Sequence, residues 1–268
     1  MEDMSVEQHF SAIVLAADRE ASNPVAAAAG VRCKSLAPVN GTPMIFRVLD
    51  ALSSADAIEN ALLCGPPRAI VDQEPELYEY IASGKASWME NQATPSLSAY
   101  EAMKTVPESN AILLTTSDHA LLTPKIVEYF CHEAYGSGCD VVAGVARRET
   151  VMNAYPQTSR TAYRFRDGEY CSCNLFAFLT PKSRTVPSFW RQVEQQRKNP
   201  FKMIRILGWL TVLRYLTGRL TLSAAMEQLS QRLGCRVGIV VLPFPEAAID
   251  VDSAEDLRFV QQVASRKM

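Results

Sequence analysis

A chain of 268 residues with 48% hydrophobic content is long enough to bury one large α/β core. Its 27 Lys and Arg stand against 29 Asp and Glu, a net charge of −2, which excludes the basic surplus of a nucleic-acid binder and the acidic tail of a charge-seeking adaptor. Met1-Glu2-Asp3-Met4 is not the cationic start of a secretory signal, and no run of about 18 uncharged apolar residues is present to span a membrane. The seven cysteines are odd in number and scattered, with no Cys-x-x-Cys pair, so a reducing cytoplasm is expected. Cys171 and Cys173 share one strand face as small apolar groups.

The first element is an apolar run, Ile13-Val14-Leu15, expected as a buried strand that turns at Ala16-Ala17-Asp18-Arg19 into a low-bulk loop. Backbone can approach a ligand closely there. Lys34 follows, then a tight turn at Asn40-Gly41, and Thr42-Pro43 is expected to open a helix over 44–52 with Thr as N-cap. Ala61-Leu62-Leu63-Cys64 reads as a second strand ending at Gly65-Pro66-Pro67. Thr94-Pro95 opens another helix, reaching Met103. The clearest buried strand is 111–116, and it stops at Ser117-Asp118-His119. A helix from Thr123-Pro124 and a strand over 140–145 follow.

From Arg160 to Thr180 the pattern becomes hairpin-like around the turn Asp167-Gly168. Residues 189–233 are helical in pattern, broken at Asn199-Pro200 and around Gly208 and Gly218, and form a helical insertion at about 187–234. A last strand over 235–242 leads through Ile249-Asp250-Val251-Asp252 into a helix whose Ser253-x-x-Asp256 reads as a capping box. Alternation of strand and helix argues for an α/β fold: a mostly parallel central sheet with helices on both faces, whose ligands bind beyond the carboxyl ends of the strands. Asp18 and Arg19, Ser117-Asp118 and Arg147-Arg148 lie at such ends.

Arg19 and the run Lys34-Ser35-Leu36-Ala37-Pro38-Val39-Asn40-Gly41-Thr42-Pro43-Met44 resemble the opening signature of the nucleotidyltransferases with a MobA-like domain. The late stretch Asp250-Val251-Asp252-Ser253-Ala254-Glu255-Asp256-Leu257 resembles that group's Asp-x-Asp-x-x-x-Asp-Leu pattern. The resemblance implies a Rossmann-like, glycosyltransferase-A-type nucleotidyltransferase fold in a single domain. It implies that Leu15, Ala16, Ala17, Asp18, Arg19, Lys34 and Ser117 hold a nucleoside triphosphate, with Lys34 and Arg19 catalytic. Thr94, Pro95, Ser96 and Ser98 would meet the nucleobase. Asp118, Asp252 and Asp250 would hold magnesium (Mg2+), which takes oxygen ligands from one or two carboxylates plus phosphates and waters. Asn174, in an Asn-Leu pair like the family's, would meet a phosphorylated small-molecule acceptor, and Arg147 with Arg148 would either hold that acceptor's phosphate or be an ordinary surface pair at a strand end.

The implied reaction moves a nucleoside monophosphate from a triphosphate, with CTP the first candidate, to that acceptor, which could be a polyol or lipid head-group precursor, and releases pyrophosphate. Two other readings share the pattern. One is a nucleotide-sugar glycosyltransferase, which has no need of the Lys34 segment. The other is a non-catalytic nucleotide-binding or regulatory protein, suggested by Asp18 and Glu20 where the family has glycines. Residues 197–216 combine basic side chains with leucines and Trp209. Packing on the chain's own domain or in a homodimer is the first reading of this stretch, and peripheral contact with an anionic membrane the second. His119 and His132 read as packed or solvated histidines.

Overall fold

The computed structural model describes residues 9–18, 23–158, 160–196 and 208–266. In chain order the strands are β1 (Phe10–Leu15), β2 (Pro38–Val39), β3 (Thr42–Pro43), β4 (Ile58–Cys64), β5 (Ser87–Met89), β6 (Ala111–Thr116), β7 (Val141–Arg147), β8 (Tyr163–Phe165), β9 (Gly168–Phe178) and β10 (Val237–Leu242). One sheet has the order β10-β7-β9-β6-β1-β4-β5, with β8 beside β9. Its pairings are parallel except those of β9, which runs antiparallel to β6, β7 and β8. The mostly parallel sheet expected from the alternating pattern is therefore present.

β1 and β6 are mostly apolar, with Ser11, Thr115 and Thr116 the exceptions, because both of their faces are covered. Ala12 and Val14 of β1 join one core layer and Ile13 the other; Leu113 and Ile112 of β6 divide in the same way. Helices Met44–Ser53, Pro124–Gly136 and Ala254–Ser265 supply the first layer, and helix Pro95–Thr105 with Val186 and Trp190 of helix Val186–Gln196 supplies the second. Fully buried Ile45, Leu49 and Phe130 each contribute about 1.5–3 kcal/mol relative to exposure.

Thr42-Pro43 does not open a helix. It forms β3, paired antiparallel with β2, and the helix starts at Met44 with Pro43 as its N-cap. Asn40 and Gly41 have φ of 52° and 84°, the two successive left-handed residues that close a two-residue hairpin, and this local constraint outweighs the Thr-Pro cap signal. The other two Thr-Pro pairs do cap helices: Thr94 accepts from the Leu97 N–H and Thr123 from the Ile126 N–H. The capping box at Ser253 and Asp256 is also present.

β9 carries an irregularity. Its register with β7 jumps between Ala143, opposite Phe176, and Val145, opposite Ser172, and Asn174 within the jump has φ of 49°. Asparagine tolerates this left-handed backbone, and the bulge turns its side chain toward the carboxyl ends of the parallel strands.

Between β9 and β10 the described helices are Val186–Gln196, Trp209–Leu216 and Leu222–Leu233, while Asn199-Pro200 lies outside the described residues. Arg184, just before the first of these, ties it to helix Pro95–Thr105 and the loop before β6. Its guanidinium donates to the carbonyls of Met103, Val106, Pro107 and Asn110 at 3.1, 2.6, 2.5 and 2.9 Å, gathering the last turn of helix Pro95–Thr105 and the loop that follows it. Arg184→Met is expected to lower stability by about 2 kcal/mol, allowing for partial exposure. Thermal melts should show Tm falling by roughly 4–8 °C; a fall below about 2 °C would show that the latch carries no weight.

Candidate active site

Because Leu15 of β1 pairs with Thr116 of β6, the chain leaves both strands at one place, and there it borders a cleft of ≈ 470 Å³. Leu15, Ala16, Ala17, Asp18 and Lys34 line one side; Ser117, Asp118, Asn174, Asp250 and Asp252 line the other, with Pro95 at the rim. The Ser117 N–H donates to the Leu15 carbonyl at 3.0 Å and Ala16 N–H to the Cys64 carbonyl at 2.9 Å, so both loops begin as continuations of the sheet.

The opening loop closes on itself through Asp18. Its carboxylate accepts the backbone N–H of Lys34 at 3.0 Å and the Asn23 amide at 3.4 Å, while Asn23 caps helix Pro24–Ala29 by accepting from Val25 N–H at 2.9 Å. Burial pushes the Asp18 carboxyl above its ordinary pKa, against the opposing pull of the Lys34 N–H. Arg19 and Glu20 lie outside the described residues.

Lys34 opens a short 3-10 turn whose Ser35 and Leu36 are buried. Its Nζ donates to Asp118 Oδ2 at 2.6 Å and to Asp252 Oδ1 at 2.8 Å. The Lys34 side chain is 15% exposed, and burial works against its charge, but Asp118 and Asp252 outweigh that cost and raise its pKa. Asp118 is held from behind by the Thr116 hydroxyl, which donates to Oδ1 at 2.5 Å, and its carbonyl accepts the Val251 N–H at 3.2 Å. That last bond stitches the end of β6 to the segment before the final helix and so brings Asp252 to Asp118. The Asp252 N–H in turn donates to Asp256 Oδ2 at 3.1 Å.

Asp250 lines the same cleft in a different partnership. It is ion-paired with Arg160, and Asn174 Nδ2 donates to its Oδ2 at 2.7 Å. The Arg160 guanidinium also donates to the Asp250 carbonyl at 3.1 Å. Two carboxylates rather than three therefore meet at the Lys34 ammonium, and among the described residues no cluster of three or more His, Cys, Asp or Glu is placed to hold a metal. His119 is buried, and burial pushes its pKa down to about 4, a packed neutral ring. His132 is exposed on its helix.

The other residues singled out by sequence are placed less centrally. Ser96 and Ser98 are buried, and Ser98 Oγ accepts the Gln92 N–H at 2.8 Å, so of that loop Pro95 alone borders the cleft. Arg147 stacks over Tyr170 at 5.5 Å and Arg148 pairs with Glu169 at 3.3 Å; neither lines the cleft. Arg160 and Asn23 are site residues that sequence reasoning passed over. Asn23-Pro24 followed by alanines and Gly30 carries a cap signal at both ends; Arg160 has no local signal.

The chain matches the MobA-like NTP transferase domain over residues 12–231 and belongs to that family. Among solved structures, a hypothetical transferase from Thermus thermophilus is 29% identical with a TM-score of 0.77, covering 93% of this chain and 100% of that one. The 4-diphosphocytidyl-2C-methyl-D-erythritol synthase of Anaerococcus prevotii is 14% identical, TM-score 0.59, with 99% and 100% covered. A CMP:2-keto-3-deoxy-manno-octonic acid synthetase complexed with CTP is 13% identical, TM-score 0.57, with 97% and 100% covered. The last two share this fold, which is the nucleotidyltransferase fold that the resemblance implied. No curated protein matches the chain.

Arg160→Met leaves the Asp250 carboxylate, 17% exposed, without its cation. The expected loss is about 2–4 kcal/mol. Adding Asp250→Asn should recover more than half of it in denaturant melts, and simple additivity of the two losses would show that the pair is not coupled.

Proposed function

We propose that this protein transfers a nucleoside monophosphate, CMP first among candidates, from its triphosphate to a phosphorylated small molecule. An oxygen of the acceptor's phosphate bonds to the α-phosphorus as the bond from that phosphorus to the bridging β-oxygen breaks, and pyrophosphate leaves with the electron pair. The observation that carries the reading is the meeting of Lys34, Asp118 and Asp252 at the mouth of the cleft bordered by the Leu15–Asp18 loop. Cytidine is favoured because two distant fold relatives are named as a 4-diphosphocytidyl-2C-methyl-D-erythritol synthase and a CMP:2-keto-3-deoxy-manno-octonic acid synthetase.

In this reading Lys34 pairs with the triphosphate, and the backbone of Ala16 and Ala17 lies against it because neither side chain is large. Arg19 is assigned to the same phosphates by sequence alone. Asp118 and Asp252 suit Mg2+, since two carboxylates that converge on one cation position are the protein share of such a site. When bound there, a divalent ion supplies charge neutralisation at phosphate oxygens. The chain's own residues supply positioning: Thr116 orients Asp118, the Val251 N–H fixes the loop, and the Asp256 cap aims Asp252. The acceptor is assigned to the smaller cavity of ≈ 230 Å³ next door, lined by Arg160, Tyr163, Ser172, Asp250 and Asp252. Asn174 and Arg160 shape its wall through Asp250.

Incubation with each of the four triphosphates and a panel of phosphorylated acceptors should release pyrophosphate, fastest with CTP. Asp118→Asn should lower kcat/KM by more than about a hundredfold, or ~2.7 kcal/mol of transition-state stabilisation. Turnover within about tenfold of wild type would remove Asp118 from the chemistry. A sugar nucleotide consumed without pyrophosphate would favour a glycosyltransferase, and nucleotide binding without turnover a regulatory protein.

A peripheral membrane contact joins this reading because helix Trp209–Leu216 buries none of its residues. Trp209 is 69% and Leu216 75% exposed, and Tyr215 anchors the helix on Phe165 at 5.8 Å. Residues 208–222 hold Arg214 and Arg219 and no carboxylate, and the sequence before them adds Arg197, Lys198, Lys202 and Arg205. Two such faces would repel across a twofold dimer interface, whereas an anionic surface attracts them. No helix among the described residues is long and apolar enough to cross a membrane. Wild type is expected to co-sediment with anionic liposomes at low salt and Trp209→Ser with Leu213→Ser to stay in solution; a stable dimer that buries Trp209 and ignores liposomes would contradict it.

A further inference from the structure

The described site already contains a cation. Asp118 offers one oxygen to the Thr116 hydroxyl at 2.5 Å and the other to Lys34 Nζ at 2.6 Å, and Asp252 offers Oδ1 to the same ammonium at 2.8 Å. A divalent ion at about 2.0–2.1 Å from these two oxygens would overlap the ammonium. The lysine is also fixed at its other end, where its backbone N–H is taken by Asp18 at 3.0 Å. With its side chain 15% exposed, it cannot leave the pair without either stranding a charge or finding another anion.

We infer that Lys34 is a built-in counter-ion that keeps divalent metal off Asp118 and Asp252 until a polyphosphate draws the ammonium away, so that metal and nucleotide load together. The identity of that polyphosphate rests on the transfer reading above; the exclusion rests on the distances. Asp18 assists by anchoring the start of the lysine, so that the ammonium swings from carboxylates to phosphate about a fixed base. The pairing also keeps the two carboxylates from facing each other without a cation.

The test is a nucleotide-free titration with Mn2+, read by the EPR signal of the unbound ion, on wild type, Lys34→Met and Lys34→Arg. Lys34→Met should bind Mn2+ at least about tenfold more tightly than wild type. Lys34→Arg, which keeps the charge, should remain close to wild type. In parallel melts Mn2+ should raise the Tm of Lys34→Met and leave that of wild type unmoved, and Asp252→Asn on the Lys34→Met background should abolish the rise. Equal Mn2+ affinities for wild type and a folded Lys34→Met, checked again with Lys34→Gln, would overturn the inference. So would a Lys34→Met site that survives Asp118→Asn with Asp252→Asn. Normal pyrophosphate release alongside equal affinities would fault the exclusion alone, whereas exclusion without pyrophosphate release from any triphosphate would fault the transfer reading alone.

Discussion

The contact between Lys34 and the carboxylates of Asp118 and Asp252 is the constraint on which the rest of the site depends. Two carboxylates that share one site repel each other, and a cation between them reverses the sign. Three distant parts of the chain must converge for this to happen. β1 feeds the loop that carries Lys34, β6 ends at Asp118, and the Asp118 carbonyl receives the Val251 N–H that brings in Asp252. The sheet order, with β1 next to β6 at its centre, makes that convergence available.

Charge is separated into two neighbouring units along the cleft. Lys34 serves Asp118 and Asp252, while Arg160 and Asn174 serve Asp250. Two residues apart in the chain, Asp250 and Asp252 thus take different partners. The bulge in β9 is what allows this, because its left-handed Asn174 reaches Asp250 from the strand that runs against the rest of the sheet.

Much of this was legible in the sequence wherever a signal was local. Ile13-Val14-Leu15 of β1 and the apolar run of β6 read as buried strands because both faces are covered, and Thr94-Pro95, Thr123-Pro124 and Ser253-x-x-Asp256 read as caps because capping is a contact across three residues. Lys34, Asp118 and Asp252 were legible from the family's spacing. Thr42-Pro43 misled because the Asn40-Gly41 turn preceding it made a hairpin, and two local signals overlapped there. Arg160 was not legible, since nothing near it in the chain indicates that its partner is Asp250. Nor was the inward turn of Ser96 and Ser98, which depends on packing against β4 and the Gln92 backbone. Exposure of helix Trp209–Leu216 was equally hidden, because leucines at helical spacing look the same whether or not another surface covers them.

The most direct measurement is a crystal structure grown with Mn2+ and a non-hydrolysable CTP analogue, with the metal located by its anomalous signal. A Mn2+ peak between Asp118 and Asp252, with Lys34 Nζ moved onto a phosphate oxygen, is the predicted result. A metal held elsewhere, or Lys34 still bridging the two aspartates with nucleotide in the cleft, would contradict it.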